Sequence, residues 1–167
     1  MRKTTVVLAV SMAMLALPGV AQEKTRAAKA ADASIAPLLK ALDYKYEVDE
    51  DGDYKLVFDV DDEGKRTQLV FVRSKVEEYG GERIREIWSA GYQMEKDGAF
   101  PADVANRLLV ASMDSKMGGW GKQGPAAIYI VRIPANADKH TLDRALTAAI
   151  DSADEMEAEL TPGKDDL

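Results

Sequence analysis

The chain has 167 residues, 46% hydrophobic and 31% charged, with 22 lysines and arginines against 29 aspartates and glutamates, one histidine and no cysteine. That length and apolar share suit one globular domain with its own core. Without cysteine there are no disulfides and no thiolate metal centres, one histidine rules out a site built on two imidazoles, and a net charge of −7 repels phosphate backbones, so no nucleic-acid partner is expected.

The first segment reads as an export signal. Arg2 and Lys3 precede an apolar run from Val6 to Leu17, Pro18 and Gly19 break it, and small residues lead to a cut before Gln22. Twelve apolar residues fall short of the about 20 that a membrane anchor needs, and a lipoprotein would need a cysteine at the cut. A signal peptide over 1–21 is therefore expected, with a periplasmic or secreted mature chain and no membrane span after cleavage. Losing Arg2 and Lys3 leaves 20 basic against 29 acidic residues, a net of −9. Residues 22–33, rich in alanine and charge, read as a flexible tether.

Ser34 is placed to cap a short helix carrying Ile35, Leu38, Leu39 and Leu42, with Pro37 tolerated in its first turn. Period-two alternation follows. Tyr44, Tyr46 and Val48 share one face, and Tyr54, Leu56, Phe58 and Val60 repeat the pattern. Directly opposed residues of a hairpin share a face, so parity fixes the loop between these runs. A three-residue loop, Glu50-Asp51-Gly52, sets Val48 opposite Tyr54 and Glu47 opposite Lys55, with Gly52 at the left-handed third position.

The acid clusters at these turns invite a calcium reading. Starting at Glu47, oxygen ligands and Gly52 fall at the right places, but the twelfth position is Phe58; starting at Asp59, the twelfth is Val70. Both lack the bidentate carboxylate. At about 3.3 Å per residue the two turns stand more than about 20 Å apart, so they cannot form one site. Solvated hairpin turns are the preferred reading, with a cation or small-ligand binder as the alternative; no cofactor and no metal site are expected.

Leu69-Val70-Phe71-Val72 is continuously apolar, which predicts a strand covered on both faces, by helices on one side and a second subunit on the other. Tyr79-Gly80-Gly81 turns the chain. Arg83 to Trp88 is extended, with Arg83, Arg85 and Ile87 opposite in face to Ile84, Glu86 and Trp88. Pro101 opens a helix whose apolar stripe is Val104, Leu108 and Ala111 with Ala105, Leu109 and Met113, ended by Gly118-Gly119. Ala126 to Ile133 is a β-branched strand. Asp138 caps a last helix carrying Leu142, Leu146, Ile150, Ala153, Met156 and Leu160. The expected fold is α+β, in the order α-β-β-β-(β)-α-β-β-α: an antiparallel sheet of about five strands with helices on one face, forming a single domain over 34–160 ahead of an acidic tail, 161–167.

No constellation of catalytic residues emerges. Gly119 to Gly124 (GWGKQG) matches a dinucleotide fingerprint in letters, but a helix precedes it and a strand follows, the reverse of what pyrophosphate binding needs, so it reads as a loop. His140 falls in the first turn of a helix beside Asp138 and Lys139. Ser74, Ser89, Ser112 and Ser115 have no base nearby in sequence. The ending Lys164-Asp165-Asp166-Leu167 approaches a retention tetrapeptide, but an acidic tail accounts for it. Trp88, Tyr92 and Trp120 are the candidate partner-binding residues, because aromatics anchor interfaces.

The segments DYKYEVDEDGDYKLVFDV, RTQLVFVRS, GERIREIWSAGY and FPADVANRLLVASM, in this order within 34–160, resemble the YbjN-type family of bacterial sensory-transduction regulators. The resemblance implies a fold related to type III secretion chaperones, which often dimerise and bind other proteins, and it brings no catalytic residues. Its better-known members look cytoplasmic, whereas this chain begins with an export signal. Residues and resemblance together lead to one expectation: an exported, non-enzymatic, protein-binding or chaperone-like module, homodimeric, with a protein partner.

Overall fold

The computed structural model describes residues 29–61 and 66–163. The expected signal peptide, the first part of the tether, most of the second acidic turn and the last four residues lie outside that range. Among the described residues there are three helices and six strands: α1 (Ile35–Ala41), β1 (Glu47–Val48), β2 (Tyr54–Asp59), β3 (Thr67–Tyr79), β4 (Glu82–Gln93), α2 (Ala102–Asp114), β5 (Gly118–Gln123), β6 (Ala126–Pro134) and α3 (Lys139–Leu160). The fold is α+β, in the order read from the sequence. All six strands form one antiparallel sheet ordered β1-β2-β3-β4-β6-β5, with α2 carrying the chain past β6 so that β5 lies on the far edge.

The turns follow their residues. Val48 pairs with Tyr54 and Glu47 with Lys55, the register that parity required. Gly52 has φ +81°, and a Cβ there would stand 2.8 Å from the carbonyl oxygen of Lys29, so glycine is needed for both backbone angle and space. Gly80 and Gly81, at φ +61° and +88°, make the two-residue β3–β4 turn that suits the right-handed twist of the strands.

Alternation then sorts the strands into two faces. One face turns Leu56, Val70, Val72, Ile87, Tyr129, Val131 and Ile133 inward against Ile35 and Leu39 of α1 and Leu142, Ala145, Leu146, Ala149 and Ile150 of α3. Small residues at 145 and 149 let α3 lie close to the sheet, and each fully buried Leu or Ile contributes about 1.5–3 kcal/mol. α2 joins the same side: Val104 and Leu108 pack with Ala127 and Met156, flanked by Tyr92, Phe100 and Trp120. Tyr44 ties the lead into β1 to α3 by donating to Asp143 over 2.6 Å, a bond that, with burial, pushes its phenol up to about 12.

Some elements differ from the sequence reading. Gly118 to Gln123 is edge strand β5 rather than a loop, and α2 stops at Asp114, not at Gly118-Gly119. The strand seen as Leu69–Val72 runs for 13 residues. Ser34 occupies the N-cap of α1, but its own side chain caps nothing; Asp32 instead accepts from the Ser34 N–H at 2.9 Å and its hydroxyl at 2.7 Å. Of the stripe assigned to α2, Leu109 and Met113 stand in solvent. Asp138 caps α3 as expected, accepting from the Thr141 N–H.

Candidate functional site

Lys29 to Ala33, the described end of the expected tether, is held in the fold by a polar knot. The Lys29 N–H donates to the Glu50 carbonyl. The Asp32 N–H donates to Ser74 Oγ at 2.9 Å, its carbonyl accepts from Tyr54 Oη at 3.0 Å, and its carboxylate meets the buried Arg85 guanidinium at 2.6 Å. Burial alone would raise the Asp32 carboxyl, but the Ser34 bonds and Arg85 outweigh it and bring it down to about 2. Arg85 also donates to the Arg73 carbonyl at 2.6 Å.

The same knot absorbs the acidic turn. Asp49 accepts from the N–H groups of Asp51 and Asp53, both at 2.9 Å. Asp53, 2% exposed, accepts from the Ser74 N–H and pairs with Arg73. Asp51 meets Lys29 at 2.9 Å. These carboxylates point at their own backbone and neighbouring cations instead of converging. No group of three His, Cys, Asp or Glu side chains that could hold a metal ion occurs among the described residues.

The four serines and His140 also find structural places. Ser89 Oγ accepts from the buried Gln68 amide and donates to the Leu69 carbonyl, joining β3 to β4. Ser112 Oγ receives the Trp120 N–H at 2.8 Å, and Ser115 Oγ receives the Gly118 N–H at 3.3 Å while bonding Tyr129 Oη. Edge strand β5 thus spends two N–H groups on Ser112 of α2 and on Ser115 just past its end, so at those positions they are not offered to another chain. His140 is exposed in the first turn of α3.

The three candidate aromatics do not share a surface. Tyr92 and Trp120 lie on the helix side: Tyr92 meets Phe100 edge-on at 5.7 Å and Trp120 meets Tyr129 at 5.4 Å. Trp120 is seated over Gly91, where a Cβ would fall 2.5 Å from its ring. Trp88 lies on the opposite, helix-free face.

That face carries no described helix. Register places Lys55, Phe71, Trp88, Ile130 and Gly119 side by side across five strands. A second row joins Val57 to Leu69 and Ala90 to Ile128 and Gly121. Leu69, Phe71, Trp88 and Ile130 belong to neither core cluster, and Val57 is 60% exposed. Gly119 and Gly121 add no side chains, so the band ends in a bare backbone shelf. A polar strip borders it: Arg73 lies 4.1 Å from the Trp88 ring centroid, Trp88 Nε1 donates to Glu86 at 2.9 Å, and Glu86 pairs with Arg132 at 2.9 Å. The apolar band with its polar border is suited to exclude water against another apolar surface.

No helix among the described residues is long and apolar enough to cross a membrane. In comparisons with known proteins, no family model matches the chain and no curated protein matches it.

Proposed function

We propose that the protein is an exported, non-enzymatic, chaperone-like module of the YbjN type that binds other polypeptides in the periplasm or outside the cell, and that it works as a homodimer. The observation that carries this reading is the band of Val57, Leu69, Phe71, Trp88, Ala90 and Ile130, with Ile128 buried among them, on the sheet face that no described helix covers. An antiparallel sheet with one solvated face ordinarily alternates apolar and polar residues. Here the middle of β3, β4 and β6 carries Leu69, Phe71, Trp88, Ala90 and Ile130 on the side away from the helices, where polar residues are ordinarily found, and contiguous apolar surface of that kind marks contact sites. The aromatic anchors fit the role, since Trp and Phe supply large contact area at low entropic cost.

A photo-crosslinking residue at Phe71, compared with one at the exposed Arg144 on α3, tests the reading. The Phe71 probe is expected to give discrete adducts with itself or with other polypeptides in cells exporting the chain, identified by mass spectrometry, and the Arg144 probe to give few. Equal labelling from both, together with a single-chain mass by light scattering, would falsify it.

A further inference from the structure

The outward side of α2 is apolar where solvent ordinarily selects polar residues. Val104 and Leu108 point into the core. On the far side Leu109, Val110 and Met113 are 69%, 57% and 83% exposed, and Met117 beyond the helix end is 42% exposed. Single exposed apolar residues are ordinary, but Met113 follows Leu109 by four residues and Val110 by three, so these three are neighbours on the helix surface, and Met117 follows just past the helix end. Methionine, unbranched and polarisable, suits a surface that repacks against varied partners.

Met117, at the end of these residues, also lines a cleft of about 420 Å³ between α2 and α3, with Ala111, Trp120, Tyr129 and Met156 among its other walls. Its other lining residues set the charge. Asp114, Asp151 and Glu155 stand there with Arg107 and Lys116. Arg107 is already committed, donating from two nitrogens to both carboxylate oxygens of Glu159 at 2.7 Å. None of Asp114, Asp151 and Glu155 takes part in an ion pair among the described residues. α2 has no basic residue in its last turn, so its negative pole adds to the Asp114 carboxylate. Lys116 opposes them, and Arg107, paired with Glu159, also feels the charges of Asp114 and Glu155, which leaves four carboxylates against two cations around the cleft.

The geometry points to this surface as the docking site of a basic amphipathic polypeptide segment. Its apolar side lies on Leu109, Val110, Met113 and Met117, and a Lys or Arg enters the cleft, where the carboxylates neutralise it and the Trp120 ring offers a face to a cation. Charge selects this occupant. A second copy of the chain seated here would bring the same acidic flank to the contact. The site lies on the helix side of the sheet, away from Phe71 and Trp88, and stands independently of the reading above.

The test uses the full chain and synthetic helical peptides of about five turns: one with leucine and lysine faces, one with leucine and glutamate faces, and one in which serine replaces the leucines of the first. Calorimetry on the native chain measures affinity. Trp120 emission in a Trp88→Phe background, which leaves one tryptophan, places the event. The leucine–lysine peptide is expected to bind, to shift Trp120 emission, and to weaken as salt rises. Its affinity should fall about tenfold in the double variant Asp151→Lys/Glu155→Lys, and by a similar factor in Met113→Glu. All three positions lie on the surface, so these variants should fold. Binding of the leucine–glutamate or serine–lysine peptide with equal affinity overturns the proposal, as does indifference to both variants. A twofold mass in light scattering that Met113→Glu returns to one chain assigns the strip to a second copy, which also overturns it.

Discussion

The two faces of the sheet use alternate residues of the same strands, yet they meet opposite surroundings. Val70 and Ile87 are 0% exposed beneath α3, while their neighbours Phe71 and Trp88 stand on a face without helices. Hydrophobicity therefore does not separate core from surface in β3, β4 and β6; the placement of α1, α2 and α3 does. Apolar residues beneath the helices hold the fold. Those on the other face are half-buried by their neighbours but lie under no described helix, and this asymmetry motivates the functional reading.

Substitutions on either side sharpen the contrast. Leu146→Ala on α3 removes a side chain that is 1% exposed in the centre of the covered face. It should cost about 2–5 kcal/mol, read as a lowered midpoint in urea unfolding. Phe71→Ser on the open face should cost about 1 kcal/mol or less in the same measurement while removing the crosslinks formed there. Equal costs would mean that the open face is core in the isolated chain, and the comparison would break.

Sequence patterning reveals much of this arrangement, and its gaps have physical causes. The first hairpin is legible because a one-residue slip would expose one entire side of the strand, so parity leaves one register. α3 is legible because its apolar residues recur over 22 residues at helical spacing. The aromatic trio is not. Strict alternation puts residues 88, 90 and 92 on one face, but a register shift between Ala90 and Tyr92 sends Tyr92 to the helix side with Trp120 and leaves Trp88 behind. Nothing local in the sequence announces that bulge except Gly91, whose missing side chain admits the Trp120 ring. β5 is illegible for a related reason: glycines at 118, 119 and 121 erase the alternation. The exposed strip of α2 is present in the letters, but a stripe of six apolar positions does not say which two or three the core will take.

The polar knot offers a pH test of how the covered face is tied to the N-terminal lead-in. Asp32 is held down to about 2 by Ser34 and Arg85, against an ordinary carboxylate value near 3.9. A depressed carboxyl stabilises the fold above its unfolded value, and that stability is lost as pH falls toward the folded one. The native chain should therefore lose on the order of 1 kcal/mol between about pH 4 and pH 2 that Asp32→Asn, already lacking it, does not lose, after discounting for the partial exposure of this carboxylate. Parallel acid-unfolding curves for the two chains would show that the pair adds nothing.

The smallest effect belongs to the acidic turn. Asp49 receives two backbone N–H groups, Asp53 is buried against Arg73 and Asp51 meets Lys29, so each carboxylate already has a partner in the fold. A cation would have to displace those partners before gaining any ligand, and a ligand stabilises only to the extent that it prefers the folded state. Millimolar calcium should therefore move the thermal midpoint by less than about 1 °C, and Asp49→Asn should lower that midpoint equally with and without calcium. A calcium-dependent rise that Asp49→Asn abolishes would convert the hairpin from a structural bend into a binding site, and would shift the search for function from the open sheet face to this edge.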